Sequence, residues 1–360
     1  MHILYDHQVF SFQKYGGISR YFYELIKYVS TFECVDLYQG FHINRYGLDK
    51  EKTFNMKFAY CMEHTGSMYK WLNTKGVKYF SAKSKADIYH PTYYNDFYIP
   101  KKKLVVTVFD MIHELFPQYF TSSNDVETIN NKRKILERAD RILSISESTK
   151  EDVINMFDIS PDKIDVVYLA NSLKLNVMEK RIISEPYCLF VGNRGTYKNF
   201  LPMLKAFAMS EYRRDLKIVA FGAGEFNDEE RELIKALDLE GRVEQISGDD
   251  QLLANLYNYA EVFVYPSLYE GFGLPPLEAM YYGTPVVCSN TSSLPEVVAD
   301  AAIQFNPHEM ESMTDVFNRI LSDGALRETL SVKGKKREKE FSWVRCAKET
   351  IDTYHKVMGE

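Results

Sequence analysis

The stretch Glu270-Gly271-Phe272-Gly273-Leu274-Pro275-Pro276-Leu277-Glu278 decides how this chain is read. Two carboxylates flank a pair of glycines and a Pro-Pro step. Upstream, Val262-Phe-Val-Tyr265 is an apolar, β-rich run. Downstream, Ala279-Met-Tyr-Tyr282 reads as a short helix that Gly283 closes, before a second strand at Val286-Val-Cys288. The pattern is a βαβ crossover with the motif at the carboxyl end of its first strand. Open parallel sheets bind ligands there, where helix N-termini present unpaired N–H groups suited to a diphosphate. Gly271 and Gly273 let the backbone turn sharply and approach a ligand. Pro275 and Pro276 suit a first helical turn, where their missing donors cost nothing. Taken singly, Glu278 is equally explained by the positive end of its own helix and Glu270 by a solvated turn. The pair, with both glycines, both prolines and the flanking strands, points to a ligand with hydroxyls beside its phosphates, because carboxylates accept strongly from hydroxyl groups.

The segment resembles the Glu-x7-Glu signature of the retaining glycosyltransferases of family 4, and the likeness continues through Gly283-Thr-Pro285-Val-Val and Ser293-Leu-Pro-Glu296. The resemblance implies an α/β protein of the GT-B fold, two Rossmann-like doubly wound domains facing a cleft. It gives Glu278 the donor ribose and Glu270 a place beside the donor sugar. Phe272 and Leu274 lie within the same donor-binding stretch.

Length and composition suit two such domains. A chain of 360 residues corresponds to about two domains, and 45% hydrophobic residues supply two cores. A formal net charge of −6 argues against nucleic acid as a partner. Cys34, Cys61, Cys188, Cys288 and Cys346 are scattered and odd in number, which suggests reduced cytoplasmic thiols and not disulfides or a metal site. Met1 leads into a strand with no signal-peptide pattern, and no apolar run is long enough to span a membrane.

Strand-like runs fall at 1–5, 35–38, 88–90, 104–109, 142–145 and 164–168, then at 187–191, 216–221, 243–246, 262–265 and 286–288. The pattern breaks over 171–186, the expected linker. The expected organisation is therefore an amino-terminal, acceptor-binding domain over 1–170, a nucleotide-sugar domain over 187–340, and a terminal helix over 341–360 that resembles the family's return onto the first domain.

Around this frame stand the other candidate residues. The junction Val191-Gly-Asn-Arg-Gly-Thr-Tyr-Lys-Asn199 offers Arg194 and Lys198 as cations for the diphosphate. Fixed cations there stabilise the charge that grows on a leaving nucleoside diphosphate. Family members usually carry Arg directly after the glycine and Lys five residues later; Lys198 holds its place, Asn193 stands at the usual Arg, and Arg194 substitutes from the next position. Gly16 and Gly17 precede a helix over 21–28 and resemble the family's Gly-Gly loop. Asp110 occupies the second position of a family His-Asp pair whose first position is Phe109 here, while His113 reads as a loop or capping histidine. Ser144, Ser146 and Glu147 stand in a Ser-x-Ser-Glu-Ser-Thr-Lys run that resembles the family's Ser-Glu element, and a helix N-cap explains most of that run without any ligand. The base is expected near Phe221 to Glu225 and Ser247 to Asp250.

The resemblance implies a nucleoside-diphosphate sugar donor, GDP- or UDP-linked, with no cofactor or metal required, and a saccharide or polyprenyl-linked acceptor in surface-polysaccharide synthesis. Mannose from GDP-mannose is the donor choice. Residues 57–85 interleave Lys with Phe, Tyr and Trp and suit either an anionic membrane surface or a solvated helix face, so peripheral attachment at the inner membrane is one expectation. Three alternatives differ in kind. An oxidoreductase needs a complete glycine fingerprint, which is absent. A sugar-nucleotide epimerase shares the fold without Glu-x7-Glu. A catalytically silent binding partner would have lost Glu270, Lys198 or Glu278.

Overall fold

The computed structural model describes residues 1–47, 53–54, 66–95, 99–176 and 180–359. The chain forms two compact units, Met1–Leu169 with Trp343–Glu360, and Ala170–Ser342. The stretch 171–176, within the expected linker, is counted with the second unit. There the Tyr282 hydroxyl donates to the carbonyls of Leu173 and Leu175 and accepts from the Leu175 N–H.

The first unit is built on a parallel sheet of β1 (His2–Tyr5), β2 (Cys34–Tyr38), β3 (Thr53–Phe54), β4 (Ile88–His90), β5 (Lys103–Val108), β6 (Arg141–Ser144) and β7 (Ile164–Val166), in spatial order β3-β2-β1-β4-β5-β6-β7. Its strands are short apolar runs because both faces are covered by helices. The terminal helix Trp343–Met358 packs on the helix Gly17–Val29. It is pinned by a buried polar chain. The hydroxyls of Tyr5 and Tyr354 share a hydrogen bond of 2.8 Å. His90 then meets Tyr354 through Nδ1 at 2.7 Å and Thr107 through Nε2 at 2.8 Å. Burial pulls the His90 pKa down to about 3, so the ring is neutral in this chain of bonds.

The second unit carries β8 (Tyr187–Val191), β9 (Lys217–Phe221), β10 (Val243–Ile246), β11 (Val262–Tyr265), β12 (Val286–Ser289) and β13 (Ala302–Phe305), in order β10-β9-β8-β11-β12-β13. This is the doubly wound order, and the winding reverses between β8 and β11, which pair in parallel at Cys188 with Val262 and Leu189 with Phe263. Phe190, Phe200, Phe207 and Phe317 fill the core on one face. The loops leaving β8 and β11 therefore emerge side by side at the switch point.

Candidate active site

The motif lies in the loop after β11 and in the helix Leu274–Tyr282. Gly273 caps that helix at φ 112, a left-handed conformation that side chains resist, and a Cβ there would come within 2.8 Å of Leu294 Cδ2. Gly283 closes it at φ 80. Because Pro275 and Pro276 carry no N–H, Gly273 and Leu274 hold the donors nearest the helix start.

Two serines that the sequence reading did not single out for a role fix the loop. Ser292 Oγ accepts from the Glu270 N–H at 2.9 Å, while the Ser293 hydroxyl donates to the carbonyls of Glu270 (2.8 Å) and Phe272 (2.7 Å). They follow β12, the neighbour of β11 in the sheet, and their signal was the Ser-Ser step before Leu294-Pro. The Phe272 side chain is buried edge-on to Phe341. The loop is thus held through its backbone, which leaves the Glu270 side chain to other partners.

Lys198 reaches Glu270. It ends a short 3-10 turn, Thr196–Lys198, after β8, and its Nζ donates to Glu270 Oε1 at 2.5 Å and to the Tyr265 hydroxyl at 3.2 Å. The Leu268 N–H donates to the Tyr197 carbonyl at 2.7 Å, tying the two loops together. The Lys198 and Glu270 side chains keep 13% exposure each. The pair is sheltered but reachable. Burial, followed by the Glu270 charge, raises the Tyr265 phenol pKa far above the ordinary value, so it stays protonated. Glu278, buried in the fifth position of its helix, accepts from the Tyr257 hydroxyl at 2.9 Å.

Arg194 is not brought to this cluster. Its Nε and one terminal nitrogen donate to the Glu230 carboxylate at 2.9 and 3.2 Å, and its remaining bonds run to the carbonyls of Gly222 (2.9 Å) and Glu225 (2.8 Å). The guanidinium lies 4.8 Å from the Phe226 ring centre and is 3% exposed. Four of its five N–H groups are engaged inward. The expectation of a diphosphate contact from Arg194 gives way to a brace between the loops after β8 and β9. Glu230, missed in the sequence, closes a capping box with Asn227, the signal being Asn227-Asp-Glu-Glu230. Gly222, in the loop expected near the base, sits at φ 101 within this brace. At the other expected base contact Asp249 is a helix N-cap, accepting from the Leu252 N–H.

In the first unit, Gly16 caps the helix Gly17–Val29 in extended backbone, with Gln13 Oε1 accepting from the Ser19 N–H at 3.0 Å. A Cβ at Gly16 would strike that glutamine at 2.5 Å, whereas at Gly17 it would meet nothing within 4 Å. Gly17 is therefore open to solvent. Asp110, after β5, accepts from the Ile112 N–H at 3.2 Å, and its carbonyl accepts from Lys132, a lysine 1% exposed and paired with Glu114 at 2.8 Å. His113 packs on Phe120, 4.4 Å between ring centres, and burial lowers its pKa. Ser146 caps the helix Glu147–Phe157. Among the described residues no group of three or more His, Cys, Asp or Glu is placed to hold a metal ion, and no helix is long and apolar enough to cross a membrane.

Two family models match this chain: "Glycosyltransferase Family 4" over residues 15–170 and "Glycosyl transferases group 1" over 178–337. The chain belongs to glycosyltransferase family 4. A relative of this glycosyltransferase, the O-antigen chain mannosyltransferase B of Escherichia coli, is 28% identical over 366 residues, 94% of this chain and 95% of the relative. Among solved structures, the sucrose-phosphate synthase of Thermosynechococcus elongatus superposes with a TM-score of 0.78 at 20% identity, covering 99% of each chain. Anabaena HepE in complex with UDP and glucose gives 0.74 at 18% identity over 99% of this chain and 100% of that one. At these identities the likeness shows the GT-B fold of the family. The enzyme is a glycosyltransferase by membership, and the Lys198–Glu270–Tyr265 cluster lies where its second sheet changes direction.

Proposed function

We propose that this glycosyltransferase is a retaining enzyme that moves a hexose, mannose from GDP-mannose, to a saccharide or polyprenyl-linked oligosaccharide in surface-polysaccharide synthesis. The observation that carries the reading is the sheltered Lys198–Glu270 pair at the β8/β11 switch point. A relative named as an O-antigen mannosyltransferase across nearly the whole chain supports the sugar and the pathway class. HepE, whose structure holds UDP and glucose, supports a nucleotide sugar as donor.

On this reading the incoming diphosphate draws Lys198 away from Glu270, and the N–H groups of Gly273 and Leu274 meet the same phosphates at the helix start. Glu270, released from its cation, accepts hydrogen bonds from the donor-sugar hydroxyls. Glu278 accepts from the ribose. The bond from the sugar C1 to the phosphate oxygen breaks as C1 bonds the acceptor oxygen on the same face, and the acceptor proton passes to the departing phosphate. Negative charge grows on that phosphate, so Lys198 stabilises the transition state more than the ground state. The reading needs no resident metal, since cation and helix end share the charge.

The same reading places the enzyme in the cytoplasm at the inner membrane surface. Met68, Trp71, Lys75, Tyr79 and Lys83 follow helical steps of three and four along one exposed face of the helix Gly66–Lys83, with Asn73, Val77 and Ser81 buried opposite. Lys57, Phe58 and Tyr60 of the proposed membrane stretch lie outside the described residues.

The test is a thermal-shift panel with UDP, GDP, ADP and dTDP, followed by Glu278→Gln and Glu270→Gln. A ligand at a hundred times its dissociation constant raises stability by about 2.7 kcal/mol, so GDP is expected to stand out. Glu278→Gln then weakens nucleotide binding by roughly 1.5–3 kcal/mol, the worth of a charged hydrogen bond, while Glu270→Gln lowers turnover and leaves nucleotide affinity in place. Stabilisation by UDP alone transfers the donor to UDP-sugars. A flat panel, or unchanged affinity in Glu278→Gln, overturns the donor site as assigned.

A further inference from the structure

A lysine that gives up its carboxylate to meet a ligand needs other partners if it is to stay in place. Lys198 has them. Its Nζ lies 5.1 Å from the ring centre of Tyr197 and 5.3 Å from that of Tyr265, over each face, and it donates to the Tyr265 hydroxyl at 3.2 Å. Both rings are carried on fixed backbone. Tyr265 is 2% exposed, ends β11 and stacks on Phe263 with 5.7 Å between ring centres. Tyr197 precedes Lys198 in the 3-10 turn, and its carbonyl accepts from the Leu268 N–H at 2.7 Å, so the loop after β11 holds the backbone that bears the ring. An aromatic face within about 6 Å attracts a cation through its quadrupole and does not neutralise it. Two such faces and one hydroxyl therefore hold the ammonium without consuming the charge a ligand needs, which a second carboxylate would do.

We propose that Tyr197 and Tyr265 are positioning residues for Lys198, an uncharged seat that keeps the ammonium placed when a donor diphosphate opens its ion pair with Glu270. The inference rests on the functional reading above, in which Lys198 meets the diphosphate, and goes beyond it by naming what fixes that cation once the pair is open. Lysine carries a compact, strongly hydrated charge on a flexible four-carbon stem, so an ammonium released from its carboxylate swings into water unless something opposes it. The ring of Tyr197 and the ring and hydroxyl of Tyr265 oppose that motion. The cation is then already in position as charge grows on the leaving phosphate, with no reorganisation left to make.

Three substitutions separate the seat from packing. Tyr265→Phe keeps its ring and removes the hydroxyl, Tyr197→Leu removes a ring, and Tyr197→Phe keeps that ring. Calorimetric titration uses the nucleoside diphosphate selected by the thermal-shift panel and the bare nucleoside of the same base, which offers Lys198 no phosphate. Tyr265→Phe and Tyr197→Leu are each expected to weaken diphosphate binding roughly three- to tenfold and to leave nucleoside binding unchanged, with Tyr197→Phe close to the wild type. In a Lys198→Ala background neither Tyr265→Phe nor Tyr197→Leu is expected to cost further affinity. A merely structural role weakens nucleoside and diphosphate alike and persists without Lys198. That outcome overturns the proposal, as does wild-type diphosphate affinity in Tyr265→Phe or Tyr197→Leu, or a loss in Tyr197→Phe as large as in Tyr197→Leu. If Lys198→Ala itself binds the diphosphate as the wild type does, the functional reading falls and takes this inference with it. If Lys198→Ala weakens binding and the tyrosine variants do not, the inference alone fails.

Discussion

Replacing Arg194 with methionine tests whether this cation braces the second unit or meets a phosphate. Methionine keeps much of the stem and removes the guanidinium. The Glu230 carboxylate, 6% exposed, then loses its bidentate partner, although the Asn227 N–H still donates to it at 2.8 Å. The carbonyl of Glu225 loses its Arg194 hydrogen bond, and the Gly222 carbonyl keeps only Gln245 Nε2 at 3.3 Å. Removing one partner of a buried ion pair costs about 3–5 kcal/mol. For a unit the size of Ala170–Ser342 each kcal/mol lowers the melting temperature by about 2–4 °C, so a fall of about 6–20 °C is expected. The assay is calorimetric unfolding of the ligand-free enzyme, with GDP titrated well below the transition. Arg194→Met/Glu230→Gln is expected to recover part of the loss, because neutral glutamine no longer leaves a buried charge unpaired. A shift under about 2 °C, accompanied by a loss of nucleotide affinity of tenfold or more, would refute the brace and restore Arg194 as a phosphate cation.

His90 gives a pH prediction. Its pKa is about 3 when folded, against 6.5 for an ordinary histidine. Between those values the unfolded chain binds a proton that the folded chain does not, so stability falls with falling pH by at most about 1.4 kcal/mol per unit. Melting temperatures from pH 4 to 7 should therefore slope less steeply in His90→Gln than in the wild type, and equal slopes would exclude His90 as a source of the acid limb. For the exposed stripe of helix Gly66–Lys83, binding to vesicles with an anionic phospholipid should drop in Trp71→Ala and in Lys75→Glu/Lys83→Glu and weaken with salt. Undiminished sedimentation of both variants with those vesicles removes the membrane reading.

Most of the sheet strands were legible because each is a short apolar run between turn signals. Tyr187–Val191, Val243–Ile246, Val262–Tyr265 and Ile88–His90 occur as read, and others differ by a residue or two at their ends. The two strands that were missed, Thr53–Phe54 and Ala302–Phe305, end the strand order at one edge of each sheet. Thr53–Phe54 is too short for any periodicity to register. Ala302-Ile-Gln-Phe305 alternates weakly and is only half buried for three of its four residues, so it lacks the continuous apolar signal of a central strand. The helix Gly17–Val29 starts four residues before its apolar stretch became obvious, since Gln13 supplies the cap from outside it.

The site was legible only as far as local sequence carries it. Glu270, Glu278 and Lys198 stood out by spacing around glycines, but what each side chain touches depends on which strands lie together. Lys198 and Glu270 meet because β8 and β11 are neighbours at the winding reversal, a fact of topology and not of their separation in the chain. Arg194 sits close to Lys198 in sequence, and that proximity made it look like a second phosphate cation. Its partner Glu230 belongs to a capping box beyond the next helix and β9, and Glu230 is buried there against the Arg194 guanidinium. Burial then decides the roles. An arginine 3% exposed with four of its five donors engaged inward is committed to the fold. Lys198 and Glu270 keep some contact with solvent, and each is the kind of group a nucleotide sugar satisfies, a cation for its phosphates and a carboxylate for its hydroxyls. On the proposed function that pair exchanges its internal partner for the phosphates and hydroxyls of a donor, which is the physical distinction between a charge that holds a fold and a charge that works in a site.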